Sequence, residues 1–138
     1  MKAVTAASLG IDLDEAGGYG LYKWLLASFL IGKRIRSSVA VEAYRSLVVH
    51  GGLDTPGKLA RCPHSRLVSL LGQAGYARYD ESTARRLHAL GRRLELEMAQ
   101  YLDHGGITQG EELGPWLLSF EGIGPKTLEI FMRERVDG

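Results

Sequence analysis

Cysteine is nearly absent from the sequence, since Cys62 is the only one in 138 residues. A single thiol cannot form an intrachain disulfide, and it cannot supply the thiolates of a structural zinc site or an iron–sulfur cluster. We therefore expect no iron–sulfur cluster, no metal site and no other cofactor. A chain with so little cysteine is typical of a reducing compartment, so we expect it in the cytoplasm.

An excess of charge of one sign is also missing, because 17 basic residues face 16 acidic residues and the net charge is +1. Such a chain has no overall positive field to hold a nucleic acid, so a nucleic-acid site must be a local patch.

Long hydrophobic runs are missing too. The most apolar stretch, residues 24–31, is far shorter than the roughly 20 residues that span a bilayer. We expect a soluble protein without a membrane partner.

Strand-like alternation is essentially absent, and apolar residues recur instead at helical spacing between glycine and proline breaks. The sequence predicts an all-α fold, a helical bundle in one domain over residues 1–138. Residues 21–31, LYKWLLASFLI, are apolar on nearly every side, which predicts a buried central helix. A long amphipathic helix is predicted from Asp80 to about Leu102, with arginines on the face opposite its apolar stripe, at Arg85, Arg86, Arg92 and Arg93.

The end of the chain predicts a helix-hairpin-helix over residues 113–135. One helical stripe of apolar residues precedes the sequence EGIGP, and a second helix begins at Pro125. We expect Gly122 and Gly124 to permit backbone angles and a close approach that side chains would obstruct. Ile123 between them can fill the space between the two helices. The first stripe consists of Leu113, Trp116, Leu117 and Phe120.

The hairpin predicts an anion site, because Pro125 lacks an N–H and the next amides at a helix start have no intrahelical partner. A phosphodiester fits such a site without any base being read, so the element should bind duplex DNA without sequence preference. The alternative is an ordinary pair of helix caps joined by a turn. The predicted DNA-binding residues of the hairpin are Gly122, Ile123, Gly124, Pro125, Lys126 and Thr127.

Two further groups of residues are candidates for nucleic-acid contact. The predicted central helix is followed by Lys33, Arg34 and Arg36. We expect these side chains to bind phosphates, and the alternative is that they are the solvated end of the helix. The aromatic and basic cluster at residues 76–79 predicts a base or strand contact, although tyrosines that pack beneath a helix start are the alternative. Its members are Tyr76, Arg78 and Tyr79.

The segment LLSFEGIGPKT resembles the helix-hairpin-helix signature of the DNA glycosylase superfamily that includes endonuclease III. Upstream, YKWLLASFLIGKRIRSSVAVEAY is similar to the buried helix and following loop of that family. LVSLLGQAGYARYDESTARRLHAL is similar to its next stretch. The resemblance covers roughly residues 21–135 and implies an endonuclease III-like fold. It also implies base-excision repair, in which a damaged base is turned out of the duplex and its glycosidic bond is cut.

Lys126 stands where bifunctional members of that family carry a Schiff-base lysine. The positive end of a helix dipole favours a neutral amine there, as attack on a sugar C1′ requires. The alternatives for Lys126 are a phosphate contact and a surface pair with Glu129. The family also uses an aspartate further along the chain, and Asp137 comes too soon after Lys126 to match it. The sequence therefore resembles a short form of the family.

Together these patterns predict a minimal DNA glycosylase or abasic-site lyase that acts through Lys126. Its expected partner is duplex DNA, damaged or abasic, so it would be associated with the nucleoid when bound. The alternative is a noncatalytic module that binds the phosphate backbone independently of sequence. A monovalent cation at the hairpin, a protein partner and a homodimer are left open.

Overall fold

All regular structure in residues 4–76, 79–101 and 110–134, which this computed structural model describes, is helical. This confirms the predicted all-α class. Two single-turn 3-10 helices, Ala7–Leu9 and Ala16–Gly18, precede the α-helices. The α-helices are α1 (Tyr19–Ile31), α2 (Ser37–Tyr44), α3 (Pro56–Arg61), α4 (His64–Gln73), α5 (Asp80–Tyr101), α6 (Gly110–Leu118) and α7 (Pro125–Met132).

Helix α1 lies at the centre of the molecule, as the sequence predicted. Every side chain from Leu21 to Leu30 is buried except that of Lys23, which is partly exposed and pairs with Glu15. Because α1 is apolar around its circumference, helices pack against more than one side of it. Helices α2 and α7 both contact it directly, and this brings the C-terminal part of the chain onto the central helix.

A π-helical turn, Arg45–His50, extends α2. The N–H of Gly51 donates to the carbonyl of Ser46, five residues earlier, at 2.8 Å. The hydroxyl of Ser46 in turn donates to the carbonyl of Leu70 in α4 at 2.7 Å. The wider turn therefore provides a buried polar link between α2 and α4.

The long helix α5 packs against α3 and α4 through its predicted apolar stripe. Arg85 and Arg92 are exposed as expected, whereas Arg86 and Arg93 are partly buried. Cys62 is a free, buried thiol whose pKa is raised by burial, in agreement with a structural role. The predicted stripe also included Tyr101, whose side chain lies outside the described residues. Its buried members are Ala84, Leu87, Leu90, Leu94 and Met98.

Two tryptophans fix the C-terminal helices. The indole N–H of Trp24 in α1 donates to the carbonyl of Phe131 in α7 at 3.0 Å. The indole N–H of Trp116 in α6 donates to a carboxylate oxygen of Glu97 in α5 at 2.9 Å. Helices α6 and α7 are thus held against different parts of the bundle, with the turn between them at the surface.

Among the described residues, none of the helices combines the length and apolarity needed to cross a bilayer.

Candidate nucleic-acid interface

The turn between α6 and α7 depends on a glycine at its third position. The N–H of Ile123 donates to the carbonyl of Phe120 at 3.2 Å, which closes the turn, and Gly122 has a φ of +88°. Side chains disfavour this left-handed region. A Cβ on Gly122 would also lie 2.9 Å from Cε2 of Phe29 and 3.0 Å from Cδ of Arg86. The fold itself therefore requires glycine at position 122.

Gly124 differs from Gly122 in both respects. Its φ of −113° and ψ of −173° are extended and accessible to any residue, so the expectation that both glycines need special backbone angles is wrong for Gly124. Apart from its two chain neighbours, no described residue has an atom within 4 Å of a Cβ built on Gly124. Neither backbone conformation nor packing within the described residues requires glycine there.

Helix α7 begins at Pro125, as predicted, and the N–H of Leu128 donates to the carbonyl of Gly124 at 3.1 Å. Helix geometry leaves the N–H groups of Lys126 and Thr127 without intrahelical acceptors. Thr127 as a whole, backbone included, is only 2% exposed, so this predicted DNA contact is not accessible to a ligand. The side chain of Lys126 is exposed.

Lys126 forms no ion pair or hydrogen bond with another residue in the described part of the chain, so the alternative surface pair with Glu129 is not formed.

Helix α7 meets the end of α1 beside Lys126. A Cβ on Gly32 would lie 3.3 Å from Cα of Thr127 and would overlap its hydroxyl. The loop that follows α1 therefore starts directly against the first turn of α7.

Lys33 in that loop is bound to the turn. Its Nζ donates to the carbonyl of Gly122 at 2.7 Å and lies 4.4 Å from the ring centroid of Phe29. Burial lowers the pKa of the Lys33 ammonium, and the nearby Arg86 guanidinium lowers it further. Arg34 and Arg36 are exposed. The structure thus brings the predicted basic loop and the predicted hairpin together.

Arg86 is a member of this site that the sequence did not identify. It was assigned to the outer face of α5, yet it lies beside Lys33 and its Nε is 3.7 Å from a carboxylate oxygen of Glu121 in the turn. Helical periodicity separates the outer face of α5 from its buried face. The periodicity does not show which loop packs at the boundary between the buried and exposed faces of α5. No other feature of the sequence indicates that Arg86 belongs to the site.

A pocket of about 240 Å³ opens between the basic loop and the start of α5. Cationic and aromatic side chains line it, and the hydroxyls of Ser82 and Thr83 add polar groups. Two of the predicted strand contacts, Tyr76 and Tyr79, belong to it, whereas Arg78 lies outside the described residues. The charged and aromatic lining residues are Lys33, Arg34, Tyr76, Tyr79 and Arg86.

The two tyrosines have different surroundings. Tyr79 is 52% exposed, so its ring is available to a ligand. Tyr76 is buried beneath the start of α5, and burial raises its pKa to about 12, although the nearby Thr83 hydroxyl offsets part of this effect. The hydroxyl of Tyr76 makes no well-formed hydrogen bond to any described residue. A buried hydroxyl without a partner is uncommon in folded proteins.

The site therefore combines the helix-start amide of the exposed Lys126, an open glycine and cations from three segments, a set of groups suited to binding phosphate. Within the residues that the structure describes, histidine, cysteine and acidic side chains form no cluster that could hold a metal ion. Lys126 and Arg36 lie outside the lining of the pocket.

Comparison of the chain with protein-family models, with curated protein sequences and with solved structures finds no significant match.

Proposed function

We propose that this chain binds duplex DNA without sequence preference, using α6, the turn and α7 as a helix-hairpin-helix. In this proposal the helices adopt an endonuclease III-like arrangement, in keeping with the resemblance of the sequence. The hairpin contacts the phosphate backbone, and the loop after α1 adds a second set of contacts. Phosphate contacts position a protein on DNA but carry no sequence information directly.

The observation that carries the proposal is the open space around Gly124. Gly122 is explained by its backbone angle and its contacts, whereas Gly124 has neither reason to be glycine. It lies immediately before a helix start whose first amides have no intrahelical acceptor. A phosphate oxygen that approaches these amides needs the space that a side chain at position 124 would occupy. A requirement for an approaching ligand therefore accounts for the glycine.

Exposed cations around the hairpin support the same function. Lys126 has no ionic partner among the described residues, and Arg34 and Arg36 are exposed on the adjacent loop. The chain as a whole has a net charge of only +1, so this cluster of cations is a local feature. Each phosphate that it neutralises releases counterions from the DNA, which makes the affinity depend on salt.

The test is to measure the affinity of the full chain for two fluorescein-labelled duplexes of unrelated sequence by fluorescence anisotropy. We expect similar affinities for both duplexes. We expect the logarithm of the association constant to fall linearly with the logarithm of salt concentration, with a slope of about −3 for three phosphate contacts. Affinity that does not change with salt, or binding to only one sequence, would contradict the proposal.

A second candidate function is an abasic-site lyase or minimal glycosylase in which Lys126 is the nucleophile, as the family resemblance implies. The observation that favours it is the exposed amine of Lys126 at the second residue of α7, which has no ionic partner among the residues that the structure describes. An amine in that position can reach a sugar C1′ when the adjacent amides hold the backbone. In this candidate the chemistry is imine formation with an abasic sugar, followed by cleavage of the strand.

A further inference from the structure

Lys33 occupies a chemically distinctive position for a lysine. The residue is partly buried, its Nζ donates to the carbonyl of Gly122, and its side chain is among those that line the 240 Å³ pocket. Lys23 and Lys58, by contrast, form ion pairs with carboxylates, and Lys126 lies outside this pocket. Among the described lysines, Lys33 is thus the one that lines this pocket.

The charged groups around Lys33 are mostly cationic. Arg34 comes from the same loop and Arg86 from α5, and both line the pocket. Glu121 in the turn is the nearby carboxylate, but it is paired with Arg86 at 3.7 Å and is largely exposed. The titratable groups that complete the wall are the phenols of Tyr76 and Tyr79. The pocket therefore holds an excess of positive charge.

We propose that this pocket binds a small aldehyde that carries a phosphate group, and that Nζ of Lys33 forms an imine with the aldehyde carbon. Arg34 and Arg86 bind the phosphate, and the exposed ring of Tyr79 covers an apolar or planar part of the ligand. The pocket is smaller than the roughly 300 Å³ at which sites for drug-sized ligands begin. A molecule the size of a sugar phosphate matches it better than a longer chain.

The covalent step begins with the neutral amine of Lys33. Its lone pair attacks the carbonyl carbon, the carbonyl electrons move to oxygen, and that oxygen takes one of the two amine protons through solvent. In the resulting carbinolamine the C–O bond breaks as C=N forms, and the hydroxyl leaves as water with the second amine proton, which ends the hydrogen bond to the Gly122 carbonyl. One amine and one aldehyde thus give one imine and one water, without an oxidant or reductant.

Two features of its surroundings shift the pKa of Lys33 towards the neutral, reactive amine. Desolvation and a neighbouring cation both disfavour the ammonium, which is how nucleophilic lysines are activated in proteins. Both causes act on Lys33, and they lower its pKa. This site is separate from Lys126, so the inference stands whether or not Lys126 is catalytic. It goes beyond the proposed DNA binding, because its ligand need not be part of a duplex.

The test uses pyridoxal 5′-phosphate as probe, since it combines an aldehyde, a planar ring and a phosphate. The full chain is incubated with a limiting amount of the probe and treated with borohydride, and the modified lysines are identified by peptide mass spectrometry. We expect Lys33 to be modified ahead of the exposed Lys126 and Lys58. We also expect modification of Lys33 to reach half its maximum at a lower pH than modification of free Nα-acetyl-lysine under the same conditions. Pyridoxal without the phosphate should modify Lys33 more weakly.

Three variants complete the test. Lys33→Met, whose folding is checked by circular dichroism, should lose the fast modification, and Lys126→Ala should retain it. Arg86→Gln should slow modification at Lys33. Equal modification of all accessible lysines, equal reaction with and without the phosphate, or coincident pH profiles for Lys33 and free Nα-acetyl-lysine would overturn the proposal. The pH profiles need no variant, so they decide the matter even if Lys33→Met fails to fold.

The source of the natural aldehyde is distinguished by competition. Free 2-deoxyribose 5-phosphate and an abasic duplex are each added before the probe. Protection of Lys33 by the free sugar phosphate alone indicates a small-molecule ligand, and protection by the abasic duplex at lower concentration indicates a DNA-borne sugar. Protection by neither would contradict the assigned ligand class. Failure of DNA binding would not affect the modification of Lys33 by the probe, so the two proposals can fail separately.

Discussion

The ammonium of Lys33 donates a 2.7 Å hydrogen bond to the carbonyl of Gly122, 89 residues away in the sequence. The bond ties the loop after α1 to the turn before α7. Gly32 makes a second contact between the same regions, because it packs against Thr127. The loop and the turn therefore form one surface, and a substitution in either segment should affect the conformation of the other.

Gly122→Ala should destabilise the fold. The left-handed φ of +88° costs an alanine roughly 1–2 kcal/mol, and the added methyl would lie within 3.0 Å of both Phe29 and Arg86. We expect a total loss of about 1–3 kcal/mol in the free energy of unfolding, measured by urea denaturation. Gly124→Ala is the matched control and should leave that free energy nearly unchanged. Equal free energies of unfolding for the two variants would contradict the left-handed conformation of Gly122 in the turn.

Neutralising the exposed part of the basic loop should weaken DNA binding uniformly across sequences. Arg34→Gln with Arg36→Gln should reduce the salt slope of the association constant by up to about two. Lys33 should contribute less to the slope, because its ammonium is already engaged by the Gly122 carbonyl. The matched control is Lys58→Gln with Arg61→Gln, two exposed cations that are paired with Asp54 and Glu95. An unchanged slope for the loop variant, or the same loss for the control, would count against this interface.

Glu97 should make part of the stability depend on pH. It accepts hydrogen bonds from Arg93 at 2.9 and 3.0 Å and from Trp116 at 2.9 Å, and these donors lower its pKa from 4.5 to about 2. Because the pKa of the folded state is depressed, the stabilisation is fully present above pH 4.5 and is lost as the pH falls towards 2. Glu97→Gln should therefore be less stable than wild type at pH 7, and the difference should shrink at low pH. Denaturant titrations across this range measure it, and a constant difference would contradict the assignment.

Lys126→Ala tests the candidate lyase. If Lys126 is the nucleophile, the wild-type chain incubated with an abasic duplex and borohydride should give a trapped covalent complex, and Lys126→Ala should abolish it. Lys58→Ala serves as the control for the removal of an exposed amine. An adduct that survives in Lys126→Ala, or wild-type binding without any adduct, would remove Lys126 from the chemistry. The second result would leave the noncatalytic module as the better description.

Local features of the fold could be predicted from the sequence. The central helix was predicted over residues 21–31 and begins two residues earlier, and α7 begins at the predicted Pro125. Helical spacing of apolar residues specifies a buried face, and the predicted stripe of Leu113, Trp116, Leu117 and Phe120 is buried. These features depend on neighbours within a few residues along the chain, which is why spacing alone identified them.

The candidate site could be predicted only in part, because it depends on contacts between distant segments. The sequence identified Lys33 and Gly122 as separate candidates but did not indicate that they are bonded. It placed Arg86 on an outer face, and it gave Gly124 the same structural role as Gly122. Periodicity describes which side of a helix is buried, whereas the pocket depends on which loop lies across the edge of α5.

The most direct test of the proposed DNA binding is the affinity of Gly124→Leu for duplex DNA. Apart from its two chain neighbours, no described residue has an atom within 4 Å of a Cβ at position 124, and in our proposal the added side chain blocks the approach of a phosphate to the start of α7. The same substitution at Gly72, an exposed glycine in α4 whose Cβ also meets no atom within 4 Å, is the control. We expect Gly124→Leu to lose at least about tenfold in affinity, the equivalent of about 1.4 kcal/mol, with an unchanged urea midpoint, while Gly72→Leu binds like wild type. Wild-type affinity in Gly124→Leu would contradict binding through the hairpin.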